Sequence, residues 1–317
     1  MRILLVKTSS LGDVIHNLPV VTDIRRHLPQ ARMDWCVEDS FAAVARLHPA
    51  VGRIIPVAVR RWRKNLMKAA TWREIGEFRE RVGELDYDLV LDTQGLIKSA
   101  LLASGANGPL AGYTGDSAKE RLASRFYDRQ FQVARDLHAV QRNRMLAAAA
   151  LGYPLDNELD YGIEAPAVAL DWLPAQPYVV LLSATSRDDK LWPEAHWVAL
   201  GCALGELGLK PVLPAGNPTE RARAARLAAA IPGSLAAPSM RIDALATLLG
   251  GARAVVGVDT GLTHLAVALK TPTVALYTAT EPGLTGVLGS GFHRNLGGAG
   301  QCPAVTDVLA ELSPVLG

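Results

Sequence analysis

The chain has 317 residues, 49% of them hydrophobic and 20% charged, with 28 Gly and 19 Pro that follow no period; this excludes disordered, collagen-like and mucin-like chains. The length suits two domains, and no uncharged apolar run approaches the roughly 18 residues of a membrane-spanning helix. The net charge of +2 hides an asymmetry, because residues 1–144 hold 23 Lys/Arg against 16 Asp/Glu and the remainder 10 against 15; an anionic partner is therefore expected on the first half.

In chain order, RILLVK (2–7) reads as a buried strand. Lys7 ends its apolar run too early for a signal peptide and no small-residue cleavage site follows, so a cytosolic protein is expected. A loop and a helix from Val14 to His27 come next. Strand signals recur at 88–92, 178–184, 210–215, 253–258 and 272–277, and helical ones at 193–207, 218–231 and 261–269. Strands alternating with helices predict right-handed βαβ units and parallel sheets. Residues 154–177, with Pro154, Pro166, Pro174, Pro177 and several acids, read as a linker between two α/β halves. The expected domains are 1–160 and 161–317. The Gly-rich stretch 286–300 is expected to be a loop, and 303–316 a short helix. Cys36, Cys202 and Cys302 are widely spaced, form no C-x-x-C, and read as small apolar residues.

Two open α/β sheets in tandem place their strand ends around a shared cleft, and ligands bind at those ends. Four loops after strands therefore carry the candidate chemistry. In KTSSLGD (7–13), Ser9 and Ser10 offer hydroxyls, and Asp13 is either a helix cap or a catalytic carboxylate. Neither a P-loop nor a G-x-G-x-x-G follows this strand, which argues against a nicotinamide dehydrogenase. In TSRDDKLWP (185–193), hydroxyls and Lys190 suit a phosphate; alternatively Asp188 and Asp189 pair with Arg187 and Lys190. In GNPTE (216–220), Glu220 either accepts from a ribose or completes a helix start with Asn217 and Pro218. In VDTGLTHLA (258–266), backbone N–H groups at a helix start suit a diphosphate and Asp259 suits sugar hydroxyls; His264 is an anion donor or an ordinary polar residue.

The first half adds RRWRK (60–64), four cations in five positions with no intervening acid, a solvated face or an anion site. No nucleic-acid motif accompanies it. Candidate acceptor contacts there are Ser10, Arg60, Arg61, Arg63, Lys64, Gln94, Lys98, His138 and Arg142, with Lys119 among the other basic positions. No metal-binding His spacing is present. The Asp86-Tyr87-Asp88 triplet precedes a strand, at the wrong end of the sheet for the cleft, and reads as structural.

Taken together, KTSSLGDVIHNLP (7–19), RRWRK (60–64), QGLIKSA (94–100), TSRDDKLWP (185–193) and VDTGLTHLA (258–266) resemble the lipopolysaccharide heptosyltransferases, the heptosyltransferase I branch more than heptosyltransferase II. The resemblance implies an α/β fold of two Rossmann-like domains facing a cleft (GT-B type), an ADP-heptose donor, a Kdo-bearing lipid A acceptor, no required cofactor or metal, and work at the inner face of the inner membrane. It implies Asp13 as general base. It implies Thr185, Ser186 and Lys190 at the diphosphate, Glu220 at the ribose and Met240 beside the adenine. Asp259, Thr260, Gly261 and His264 would hold heptose and diphosphate, and 60–64 the acceptor. Tyr277-Thr278-Ala279-Thr280 departs from the pattern, since relatives often carry Gly-Pro after the aromatic. The competing classes are a sugar oxidoreductase, which needs the missing Gly-rich fingerprint, and a nucleotide-sugar sensor, which needs neither Asp13 nor the basic run.

Overall fold

Runs such as Ile3–Val6 and Val179–Leu182 are apolar at every position because strands inside a parallel sheet are covered on both faces. The computed structural model, which describes residues 1–173 and 175–316, divides into two units, Met1–Gly162 and Ile163–Gly317. Pro174 of the expected linker and Gly317 lie outside the described residues. The rest of the linker, 154–173 and 175–177, contains neither helix nor strand.

In the first unit, β1 (Arg2–Val6) leads through α1 (Leu11–Ile15) and α2 (Leu18–His27) to β2 (Arg32–Glu38). Then come α3 (Ala42–Ala45), β3 (Val51–Val57), α4 (Val59–Lys64), α5 (Ala69–Gly83), β4 (Leu89–Asp92), α6 (Ile97–Ala103), β5 (Leu110–Tyr113), β6 (Arg129–Phe131) and α7 (Ala139–Leu151). The strands pair in parallel in the order β3-β2-β1-β4-β5-β6. The single helix expected over 14–27 is two helices. Pro19 sits in the first turn of α2, where its missing N–H is harmless, whereas inside a longer helix it would clash with the carbonyl four residues back.

The second unit runs β7 (Tyr178–Leu182), α8 (Glu194–Glu206), β8 (Lys210–Leu213), α9 (Pro218–Ala230), β9 (Leu235–Ala236), α10 (Ile242–Gly250), β10 (Ala254–Val258), α11 (Gly261–Ala268), β11 (Thr273–Tyr277), β12 (His293–Gly297) and α12 (Val305–Leu316). Its order, β12-β11-β10-β7-β8-β9, repeats the topology of the first sheet, again with all pairs parallel. β12 lies inside the stretch expected to be a loop. HRNLG is polar and half-exposed at a sheet edge, so it lacks the apolar signal. α12 places Val308 and Leu312 in the second core, and the Trp192 indole N–H donates to Pro303 O at 2.9 Å just ahead of it.

Each sheet reverses its strand order once, between β1 and β4 and between β7 and β10. Loops after those strands diverge to opposite faces and leave a crevice, the standard ligand position in such sheets. The Asp86–Asp88 triplet lies at the opposite end of the strands, where Asp88 accepts from the Arg2 N–H at 2.7 Å and Tyr87 donates to Asp34 at 3.0 Å.

Candidate active site

At the β1/β4 switch point, Gln94 clamps the loop after β1. Its Oε1 accepts from the Thr8 N–H and hydroxyl at 2.7 and 2.8 Å, and its Nε2 donates to Ser9 O at 2.8 Å. Buried Asp92 fixes Gln94 in turn, accepting from the Gln94 N–H at 2.8 Å and from the hydroxyls of Ser99 and Tyr127, each at 2.8 Å. Gln94, expected as an acceptor contact, has both ends of its amide engaged in holding this loop.

Asp13 is the third residue of α1. Its Oδ2 accepts from the Ser10 N–H and hydroxyl at 2.9 and 3.1 Å, so it caps its helix. Its Oδ1 accepts from Lys119 Nζ at 3.1 Å, a partner 106 residues away. Burial alone would raise this carboxyl's pKa. The charges of Lys7 and Lys119, the Ser10 N–H and His16 outweigh burial and hold it well below the usual carboxylate range. Lys7 is buried, donating to Thr93 O at 2.9 Å and Asn143 Oδ1 at 3.2 Å; burial brings its pKa down to about 8 against the pull of Asp13.

Several cations gather on the same unit. Lys98 donates to Ser9 Oγ at 3.1 Å, and its pKa is lowered by burial, with Glu38 opposing and Arg60 and Arg63 adding to the effect. The Arg142 guanidinium lies 5.0 Å from the Tyr113 ring centre and donates to Ser117 O, while its buried Nε has no partner among the described residues. His138 caps α7 through Nδ1 and meets His16 edge-on, ring centres 5.4 Å apart.

The basic run forms α4, and the fold supplies the acids its sequence lacks. Arg61 pairs with Glu74 at 2.9 Å and lies 3.9 Å from Asp39, and the buried Trp62 indole N–H also donates to Glu74, at 2.8 Å. Arg60 lies over the Phe41 ring at 5.1 Å. Arg63 and Lys64 are exposed and have no ion-pair partner among the described residues. The run is thus one compensated cation and three open ones.

At the β7/β10 switch point, Asp259 organises a second cluster. Its Oδ2 accepts from Lys190 Nζ at 2.6 Å and from the Thr280 hydroxyl at 2.8 Å, and His264 Nε2 lies 4.0 Å from Oδ1. Thr185 donates to Asp259 O at 2.9 Å, and Ser186 is exposed beside it. Thr260 and Gly261 open α11, which approaches β10 closely: a Cβ on Gly257 would lie 2.3 Å from Thr263 Oγ1. The 188–190 turn divides its charges. Arg187 pairs with Asp189, whereas Lys190 reaches Asp259, 69 residues away. Thr278, at the departure from the family pattern, donates to Asp189 O at 3.0 Å and ties this turn down. Glu220 completes its own helix start, accepting from the Gly216 N–H at 2.8 Å and from Asn217 Nδ2 at 2.7 Å. Met240 lies half-buried in the segment between β9 and α10.

Lys7, Lys119, Asn143 and Thr280 join these clusters without a local sequence signal that marks them as site residues. Lys7 follows the apolar run of β1, Thr280 lies after β11, and Lys119 is one of several scattered basic residues, while Asn143 lies inside α7.

Residues 75–305 match the pattern of glycosyltransferase family 9 (heptosyltransferase). The chain is similar to lipopolysaccharide heptosyltransferase 1 of Pseudomonas aeruginosa, 50% identical over 291 residues covering 91% of this chain and 82% of that one. In structure it is similar to the E. coli heptosyltransferase WaaC with ADP (TM-score 0.92, 41% identity, 99% of both chains). It is also similar to WaaC with ADP-2-deoxy-2-fluoro heptose (TM-score 0.88, 40% identity, 99% of both chains). The chain belongs to glycosyltransferase family 9, the heptosyltransferases.

Proposed function

We propose that this glycosyltransferase moves heptose from ADP-heptose to a Kdo residue of Kdo-bearing lipid A, with inversion, in lipopolysaccharide inner-core synthesis. The observation that carries the reading is the Lys190–Asp259–Thr280–His264 cluster at the strand switch point of the second unit, in a chain 41% identical to a WaaC structure that holds ADP. The second unit takes the donor. Lys190 and the N–H groups at the start of α11 offset charge on the departing diphosphate, and Asp259 receives sugar hydroxyls. The first unit takes the acceptor, with Asp13 removing the proton from the attacking hydroxyl in a single displacement. The scheme uses no cofactor. Incubation with ADP-heptose and Kdo-bearing lipid A should release ADP and yield a heptosylated acceptor. ADP release only with an acceptor that already carries heptose would assign the chain to a later step, and no release with either would refute the reading.

Both Ser10 contacts fall on Asp13 Oδ2, so Oδ1, which accepts only from Lys119 among the described residues, is the oxygen left to take the proton. The Ser10 contacts are fixed by the helix cap, so half-exposed Lys119 is the partner that gives way, drawn off by an anionic group of the acceptor. Lys119→Met should raise the acceptor KM and leave the donor KM unchanged. With Lys7, His16 and the Ser10 N–H left to hold the carboxylate ionised, its pKa should also rise, so that an acid limb of kcat/KM that lies below the working range in the wild type shifts toward it. An unchanged pH profile would leave Lys119 as an acceptor contact alone.

The open cations of α4 imply a graded response. Arg63→Glu with Lys64→Glu should raise the acceptor KM more than Arg61→Glu does, because Arg61 is already neutralised by Glu74. Equal effects, or an effect on the donor KM, would contradict this division of labour.

A lipid-anchored acceptor places the protein at the inner face of the inner membrane. Residues 60–73 hold six cations and no acid, and Leu66, Met67 and Trp72 are exposed among them, a surface suited to peripheral contact with anionic lipid. Among the described residues no helix is long and apolar enough to cross a membrane.

A further inference from the structure

The end of the first sheet where its strands start, opposite the loop that carries Asp13, holds a crevice of about 770 Å³, in the range of small-molecule sites. Three neighbouring strands contribute arginines at or near their starts. Arg2 and Arg32 are register partners across β1 and β2, and Arg53 comes from β3. Arg25 and Arg26, in the last turn of α2, complete the rim.

Two of these five cations are neutralised. Arg53 pairs with Glu84 at 2.6 Å, and Arg26 with Glu158 at 3.1 Å and Asp156 at 3.4 Å. Among the described residues, no carboxylate pairs with the guanidinium of Arg2, Arg25 or Arg32; Arg25 reaches only Pro29 O, at 2.5 Å. Asp34, the one acid in the lining, has both oxygens occupied by the Arg53 N–H and the Tyr87 hydroxyl. His48 adds no charge at neutral pH, since burial lowers its pKa to about 4. Its Nδ1 accepts from the Ala50 N–H, so Nε2 carries the proton toward Thr22 Oγ1.

The last turn of a helix favours cations, which accounts for Arg25 and Arg26 taken singly. It does not account for Arg2 and Arg32 beside them, nor for the apolar lining from Ala31, Met33 and Leu85. Guanidinium forks over an apolar floor match a phosphate attached to an apolar body.

We propose that this crevice is a second anion site of the protein, taking an organic phosphate whose oxygens meet Arg2, Arg25 and Arg32 and whose apolar part lies on Ala31, Met33 and Leu85. The same chemistry is offered by a soluble nucleotide or by a phospholipid headgroup with the start of its chains, and the site is independent of the transferase reaction.

The test titrates the intact protein with ATP and, separately, with dihexanoyl-phosphatidylglycerol below its micelle concentration, followed by ligand-observed NMR into the millimolar range. At least one probe should show a saturable event that persists in Lys190→Ala. That event should weaken by about tenfold or more in Arg2→Gln/Arg32→Gln and, separately, in Arg25→Glu, an exposed position where folding is not at stake. Saturation by ATP identifies a soluble ligand, and saturation by the lipid alone identifies a headgroup. Absence of the event with both probes, or its survival in both arginine variants, would overturn the proposal.

Discussion

Asp13→Asn is expected to lower kcat by about 10²–10⁴-fold, the usual contribution of a positioned general base, while ADP affinity stays at the wild-type level. Asparagine is the informative replacement because its side-chain oxygen still accepts from the Ser10 N–H and keeps the cap of α1. The variant therefore removes the proton acceptor and spares the loop. Asp13→Ala would remove both, and the lost cap would appear in thermal unfolding as well, at about 0.5–2 kcal/mol. The pH dependence has a definite sign. The folded pKa of Asp13 is depressed, so the carboxylate stays ionised down to values below the ordinary ~3.9 of an aspartate. Wild-type kcat/KM should show no acid limb from this group across the working range. Turnover of Asp13→Asn within about threefold of wild type would reduce Asp13 to a helix cap, since a true base contributes far more.

Lys190→Ala is expected to weaken ADP binding by roughly 10–150-fold, corresponding to the ~1.5–3 kcal/mol of a hydrogen bond to a charged group. Two effects add. The diphosphate loses a cation, and Asp259 is left as an anion beside it, with the Thr280 hydroxyl, His264 at 4.0 Å and the more distant charge of Arg187 facing it. That second effect supplies a control. In Lys190→Ala/Asp259→Asn the uncompensated charge is gone, so part of the ADP affinity should return. The heptose-dependent part of donor affinity should not, because the asparagine no longer offers an anionic acceptor to sugar hydroxyls. An ADP titration unchanged in Lys190→Ala would remove this lysine from the donor site. Equal affinity in the single and double variants would show that Asp259 does not act through its charge.

Much of the fold was legible because the signals are local. Strands buried on both faces are continuously apolar, and β1, β4, β7, β8, β10 and β11 stand out on that basis. The six strands that escaped are those in which the signal is diluted: β2 carries Asp34 and Glu38, β3 carries Gly52, Arg53 and Pro56, β5 is four residues with Gly112 among them, β9 has two residues, β6 is a mostly exposed RQF, and β12 is a polar edge strand. The break between α1 and α2 was signalled by Pro19 but hidden by the apolar periodicity running through it. The candidate loops were legible for a different reason. Parallel α/β sheets bind ligands after their strands, so position alone selected Asp13, Lys190 and Asp259.

Local patterning is enough to set the alternation of strands and helices, the loops that end in Asp13 and precede α11, and the family whose motifs run in order from residue 7 to residue 266. Which side chains share a charge environment follows from the folded chain alone. Lys119 meets Asp13 across 106 residues, Lys190 selects Asp259 over the adjacent Asp188 and Asp189, Glu74 and Asp39 neutralise Arg61 alone in its run, and Gln94 turns inward onto Thr8 and Ser9. The physical reason is range. Propensity and periodicity act over a few residues and are written in the chain, whereas Coulomb and hydrogen-bond partners are chosen by distance in space, which the closing of each parallel sheet sets.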